Sequence, residues 1–584
     1  MDISSFKILE SKIVVRIHER ICENAEELLA SPLFREVVRR AIAKLTYRKS
    51  FLLDVFGKRD IGEPDIDVLI QTLQFLSKMP CHLVPNVVRG SDVFFKDKNL
   101  FNEFVEYLYN CWRSYDRFII SDSSNKDLDK RPYFTFNEMI VHLTTLIRGI
   151  YRDIQENITG KHPRIYRQVA AGAEVSTIAI SKKISFPTPA YEKLNKVPLI
   201  RQILIYPPLI FNPPMNKRTG KFERIQRNPL ELFDLNEGEW LCYPAKVGSL
   251  LILIYFHNKF AELGHALCNL FQLAEDEDLE RKPDAVFAFG VPGNVLDNLA
   301  SFPTVFYDDK ENNMMVAAVP NRDEFGYFGY LKKMVLTLHN IIMMKKGMLP
   351  FHGALIRVIL NGNKDRTVLF MGDTGAGKSE TLEAFREIGD EQIQDLVIIA
   401  DDMGSLDMDQ EGNIIGYGTE IGAFLRLDDL RPGYALGQID RAIIMNPNQV
   451  NARIILPITT FDHVIAGHKI DYILYANNYD DIDEDHPIIE RFDNVEKALN
   501  IFREGMVMSK GTTTTTGIVH SYFANVFGPP QYKDLHEPLA RKYFEKFFQK
   551  GIFVGQMRTR LGLSGWERTG PMDAAKELLK IMSQ

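Results

Sequence analysis

Eight residues, Gly372-Asp-Thr-Gly-Ala-Gly-Lys378-Ser379, constrain this 584-residue chain more than any other stretch. They fit G-x-x-x-x-G-K-[ST], directly after the strand-like TVLFM and before the helix-like SETLEAFREI, the strand–loop–helix context that the pattern requires. A chance match in a chain of this length has odds of roughly one in fifty, and the context disfavours a bare Gly-rich turn further. Glycines let successive backbone N–H groups converge on phosphate oxygens at a helix N-terminus, where the dipole also favours negative charge. Gly372, Asp373, Thr374, Gly375, Ala376 and Gly377 are therefore the expected phosphate cradle. Lys378 adds a mobile positive charge for the transferring phosphate, and the Ser379 hydroxyl is expected to ligate the accompanying Mg2+.

Downstream, LVIIA runs into Asp401-Asp402 at the end of an expected buried strand. Adjacent carboxylates are often only a turn or a helix cap. Placed after a phosphate-binding loop, they occupy the position of an acid that holds a divalent cation.

Composition narrows the class. With 45% hydrophobic and 25% charged residues the chain can bury large cores in two or more domains. A net charge of −7 gives no global basic excess for nucleic acid or an anionic membrane, so neither is an expected partner. The five cysteines, Cys22, Cys81, Cys111, Cys242 and Cys268, form no C-x-x-C pair, which suits a reduced cytoplasmic protein. The first residues lack a basic stretch followed by a long apolar run, and no window reaches 18 uninterrupted apolar residues, so neither secretion nor a membrane span is expected.

Periodicity predicts an α/β chain in three parts. Residues 1–160 read as helical, with apolar residues at three- and four-residue spacing in LLASPLFREVVRRAIAKL and FNEMIVHLTTLIRGIYRDIQENI. Residues 161–345 read as an α/β substrate-binding domain. Residues 346–584 hold the strand-rich phosphate-loop domain, with strands expected in ALIRVIL, TVLFMG, LVIIADD, RAIIM and YILYA. A mobile lid is expected near 506–517, where five threonines, Thr512 to Thr516, lie between Gly511 and Gly517; a β-prone surface linker is the alternative.

The segment YFGYLKKMVLTLHNIIMMKKGMLPFHGALI, then the loop, then Ala-Asp-Asp, resembles the ATP-type phosphoenolpyruvate carboxykinases in order and in most spacings. The resemblance runs from about residue 235 to 580 and implies a mixed-sheet core of that kind, with the helical N-terminal region additional to it. By this resemblance Lys333, His352 and Asp402 match three ligands of a catalytic Mn2+. Lys378 and Ser379 match the nucleotide-phosphate and Mg2+ positions, and Tyr327 matches a tyrosine beside the carboxylate substrate. Arg453 in NARIILPIT matches a phosphate-contacting arginine; Arg568 in GWERTGPMDAAKELL and Arg426 in TEIGAFLRL match positions near a nucleotide base. The substrate arginine has two candidates, Arg227 in TGKFERIQRNP and Arg167 in RIYRQVAAGA. A lysine ligand must be neutral, and Lys332 and the metal itself are the expected causes of a lowered pKa.

The implied reaction interconverts oxaloacetate and phosphoenolpyruvate with release or capture of CO2, using ATP, or else GTP or pyrophosphate, as phosphoryl donor. The loop itself, GDTGAGKSE with Glu380, is also similar to that of HPr kinase/phosphorylase. The alternative is therefore a kinase for a protein or small-molecule hydroxyl, in which Asp401 or His352 acts as general base and Lys333 is dispensable. A regulatory protein with a degenerate site is disfavoured by the intact Lys378, Ser379 and Asp402. The donor, the direction and the oligomeric state stay open at this level.

Overall fold

The computed structural model describes residues 3–8, 12–17, 22–121, 132–167, 175–205, 207–235, 239–362, 364–429, 436–510 and 516–584. The chain divides into two compact units, Met1–Pro163 and Arg164–Gln584. The expected segments 161–345 and 346–584 both lie in the second.

The first unit is mainly helical. Asn24 and Ser31 cap the helices Ala25–Leu29 and Pro32–Tyr47 by accepting backbone N–H bonds, so the apolar run LLASPLF breaks into two helices at Ser31-Pro32. Helices Glu63–Leu76, Lys98–Arg113 and Pro132–Thr159 complete the bundle, around a core that includes Leu69, Phe101, Phe104 and Ile158. A small sheet joins them. The β-branched stretches at Lys12–Ile17 and Asp116–Ser121 pair in parallel, and Ile3–Ile8 pairs antiparallel with the first of these.

Among the described residues the second unit holds a ten-stranded and a nine-stranded mixed sheet. At the centre of the first, Leu250–His257, Ala285–Val291 and Met314–Pro320 run parallel and are buried almost throughout, the burial of a sheet covered on both faces. Alternation sorts their side chains: Ile252, Ile254, Phe287 and Ala317 enter one core, and Leu253, Tyr255, Val286 and Val316 another.

The helix Phe328–Lys345 is apolar nearly all round, which is stable only when buried on all sides. It packs against strands of both sheets, including Met314–Pro320 and Leu349–Leu360. Beyond the nine-stranded sheet, Val368, Phe370 and Leu474 meet Phe385 of the helix Lys378–Gln392 and Leu578 of the helix Thr569–Ser583.

Strand direction decides where the site forms. Lys364–Met371, Tyr472–Asn477 and Phe553–Arg558 are parallel neighbours, so their carboxyl ends share one edge. Leu349–Leu360 runs antiparallel to Lys364–Met371, with Gly353 opposite Met371, and antiparallel to Ile393–Ala400, with Leu355 opposite Ala400. The beginning of the first and the end of the last therefore reach that same edge.

In the expected lid, Met506–Lys510 and Thr516–His520 form an antiparallel hairpin; 511–515 lie outside the described residues. Among the described residues no helix is long and apolar enough to cross a membrane.

His339, wholly buried in the central helix, bonds Asn340 through Nδ1 and is lowered to about 4 by burial. Below pH 6.5 the unfolded chain therefore binds a proton that the folded chain refuses, so stability falls with pH. One such group costs about 2 kcal/mol between pH 6.5 and 5. His339→Gln is expected to flatten the fall in melting temperature over that interval; an unchanged pH slope would refute the assignment.

Candidate active site

Backbone pairing brings the first three candidates together. Gly372 N–H donates to the His352 carbonyl at 3.2 Å, and Gly353 N–H donates to the Asp402 carbonyl at 2.8 Å. The histidine, the loop and the acid are thus adjacent at the sheet edge, although 50 residues separate His352 from Asp402.

Asp402 is the hub. Its Oδ1 lies 2.8 Å from His352 Nε2, and its Oδ2 lies 2.7 Å from the Lys332 ammonium, which also reaches Glu420 Oε1 at 3.0 Å. Burial acts to raise the Asp402 pKa, but Lys332 and His352 outweigh it and hold the carboxyl well below its ordinary range. Burial likewise acts against a charged Lys332, and Asp402 and Glu420 overcome it, so this amine stays charged.

Lys333 behaves oppositely. It is lowered to about 8, first by burial and then by the Arg218 guanidinium. Lys332, one of the expected causes, contributes least of those acting on it. The Lys333 ammonium sits 4.8 Å from the centre of the Phe527 ring. Asp401 is raised to about 6 by burial and by neighbouring Asp402, and Glu420 to about 7 chiefly by burial.

The phosphate loop is braced from three sides. Gly375 and Gly377 take φ of +82° and +100°, conformations that favour glycine. A Cβ on Gly377 would meet the Thr559 side chain at 2.6 to 2.9 Å, and the Thr559 hydroxyl donates to the Ala376 carbonyl. Asn478 donates to the Gly375 carbonyl at 2.9 Å and also pairs with Met508 of the hairpin. Lys378 donates to the carbonyls of Gly372, at 2.5 Å, and Asp373, at 3.0 Å, and burial lowers its pKa. Thr374 N–H and the Ser521 hydroxyl donate to the Asp373 carboxylate. Ser379, partly buried, is the second residue of the helix that the loop opens.

A second wall forms around Phe424. Tyr327, Lys332 and Arg453 lie around its ring, the Arg453 guanidinium 5.4 Å from its centre and the Tyr327 ring at 6.0 Å. Burial raises the Tyr327 pKa, although Arg453 beside it acts the other way. Arg426 stands opposite Arg453 in the antiparallel pair Gly422–Arg426 and Arg453–Pro457; its guanidinium turns to Asp428 at 3.0 Å.

Other candidates are placed elsewhere. Arg227 is exposed and pairs with Glu231 four residues on. Arg568, exposed, precedes the helix Thr569–Ser583. Among the described residues neither takes part in the contacts around Asp402. Arg167 ends the short strand Ile165–Arg167, and its side chain lies outside the described residues.

Sequence reading passed over Arg218, Glu420, Asn478, Thr559 and the stretch 521–527. Arg218 stacks on Phe222 at 5.0 Å and neighbours Tyr327, Tyr330 and Lys333, so it supplies a guanidinium where Arg227 does not. Phe523, Ala524 and Asn525 all have positive φ, +45°, +55° and +64°. Such backbone costs about 1 kcal/mol or more per residue, and here it brings the Ala524 carbonyl to His352 Nδ1. Only the unusual density of aromatic and small residues in SYFANVFG hinted at it.

Among the described residues no group of three or more His, Cys, Asp or Glu is arranged to hold a metal ion. Near the His352–Asp402 pair lies one amine, Lys333, whose lowered pKa makes its neutral form accessible near pH 8. No protein-family model and no curated protein matches the chain.

Replacing Lys332 strands the buried Glu420 carboxylate and the half-buried Asp402. Lys332→Met is expected to lose about 3–5 kcal/mol in chemical denaturation, and adding Glu420→Gln and Asp402→Asn to recover part of it; wild-type stability in the single variant would disprove the dependence.

Proposed function

We propose that this chain is a metal-dependent phosphotransferase of the phosphoenolpyruvate carboxykinase type, interconverting oxaloacetate and phosphoenolpyruvate with ATP, GTP or pyrophosphate as donor. The observation that carries the reading is a neutralisable, half-buried Lys333 near the His352–Asp402 pair, beside a braced phosphate loop.

The donor set fits Mn2+, which Lys333, His352 and Asp402 would hold, with Ser379 placed for the Mg2+ of the donor. When bound, such a cation supplies Lewis-acid stabilisation of the negative charge left when the C–C bond to CO2 breaks. The chain's own groups do the rest. Arg218 and Tyr327 bind and orient the dicarboxylate, and Arg453 across the Phe424 ring neutralises charge on the transferring phosphoryl group. Lys378 exchanges its loop carbonyls for the terminal phosphate, so its positive charge moves onto the donor only when a donor is present. The C–C electron pair released with CO2 forms the enolate C=C bond, the carbonyl π pair moves onto oxygen and attacks phosphorus, and the P–O bond to the leaving group breaks as the new one forms. Water would protonate that enolate to pyruvate, so the strands Met506–Lys510 and Thr516–His520, tied to the loop through Asn478, are suited to exclude it. This chemistry belongs on the cytoplasmic side of a cell, and no part of the mechanism calls on a membrane or a nucleic acid.

A specific observation keeps a second reading in play. Asp401, at about 6, is suited to accept a proton from a hydroxyl near neutrality, as a kinase resembling HPr kinase would need.

Phosphoenolpyruvate and bicarbonate, supplied with Mn2+ and with ADP, GDP or phosphate in parallel, are expected to give oxaloacetate with one acceptor. Lys333→Ala and His352→Ala are each expected to lower kcat/KM by about 10²–10³-fold. No oxaloacetate with any acceptor would sink the carboxykinase reading. Phosphorylation of a hydroxyl substrate that survives Lys333→Ala but not Asp401→Asn would establish the kinase.

A further inference from the structure

Away from the phosphate loop, a cavity of about 500 Å³ opens between the end of the helix Phe328–Lys345 and the start of the helix Lys533–Gln549. Four basic side chains, Arg224, Lys310, Lys345 and Lys533, line it against two carboxylates, Asp308 and Asp534. Asp308 is buried and already engaged: Lys345 pairs with it, and the Tyr532 hydroxyl donates to it at 2.9 Å. Arg224 lies 3.8 Å from Asp308 and stacks on the Tyr532 ring at 4.5 Å, which presents a planar, fixed guanidinium to the cavity. Lys310 and Lys533 are exposed, and the Lys533 ammonium lies 4.9 Å from the centre of the Tyr522 ring.

We propose that this cavity binds a small phosphate monoester, and that occupancy is transmitted to the candidate active site through residues 524–532. A dianion matches the excess of positive over negative side chains, a guanidinium fork backed by ammonium groups is the donor set that phosphate oxygens take, and the volume exceeds what a bare phosphate needs. The route is physical. Gln531, in the cavity wall, donates to the Phe222 carbonyl at 3.2 Å, and the Phe222 ring carries Arg218. Four residues earlier, the Phe527 carbonyl accepts from Asn340 at 2.8 Å while its ring faces Lys333, and the left-handed turn before it bonds His352. Ordering Tyr532 and Gln531 therefore bears on both the lysine and the histidine.

The site is tested in the Lys378→Ala background, which weakens anion binding at the phosphate loop, with glycerol 3-phosphate as probe and glycerol as the uncharged control. Glycerol 3-phosphate at 10 mM is expected to raise the melting temperature by several degrees, glycerol not at all. Lys310→Gln with Lys533→Gln, measured against its own unliganded melting temperature, is expected to abolish the shift. A shift that persists in this variant, or no shift in its parent, overturns the site. Bound probe is also expected to slow amide hydrogen exchange over 521–532 at least twofold; binding without that slowing overturns the transmission. Neither readout depends on the carboxykinase reading.

Discussion

Asp402 divides its carboxylate between an imidazole and an ammonium at a half-buried position, and most of the candidate active site follows from that division. A buried carboxylate without partners would take up a proton. Lys332 keeps it charged, and the charge in turn fixes the His352 ring, whose other nitrogen meets the Ala524 carbonyl. The central helix, the strand Leu349–Leu360, the turn at 523–525 and the acid after Ile393–Ala400 are thereby locked to one another. A network of this kind contributes more to geometry than to net stability, because desolvation offsets much of its Coulomb energy.

The two adjacent lysines show how far position alone separates identical chemistry. Successive residues on a helix point about 100° apart, and that turn sends Lys332 to two carboxylates and Lys333 to an aromatic face and a guanidinium. One is held charged, and the other is brought within reach of neutrality. The roles of ion-pair partner and neutralisable amine are thus assigned by the helix that carries both.

Glycine and strain serve the same edge. Gly377 lets the loop close over Thr559, and the three left-handed residues at 523–525 hold a carbonyl against His352 at an energetic cost that surrounding packing must offset. Phe424 and Phe527 give the charged groups apolar surfaces, which lowers the local dielectric and strengthens every interaction nearby.

Some of this was legible in the residues alone. The α/β class, the strand–loop–helix at Gly372–Ser379, the helix carrying Lys332 and Lys333, and strands near His352 and Asp401-Asp402 all follow from local periodicity and motif spacing, which short-range sterics and hydrophobic burial control. The sequence also marked helix in the first 160 residues but not their three-stranded sheet, since short β-branched runs become strands only when a distant partner supplies the ladder. Which lysine pairs with Asp402, that Arg218 rather than Arg227 neighbours Lys333, and that Asn478, Thr559 and the 523–525 turn brace the site were decided by tertiary structure. Those contacts join residues up to about two hundred positions apart across strands whose direction and register no local pattern encodes. The loop's strand–loop–helix pattern is readable from its residues; its surroundings were decided only when five strand ends met at one edge of a sheet.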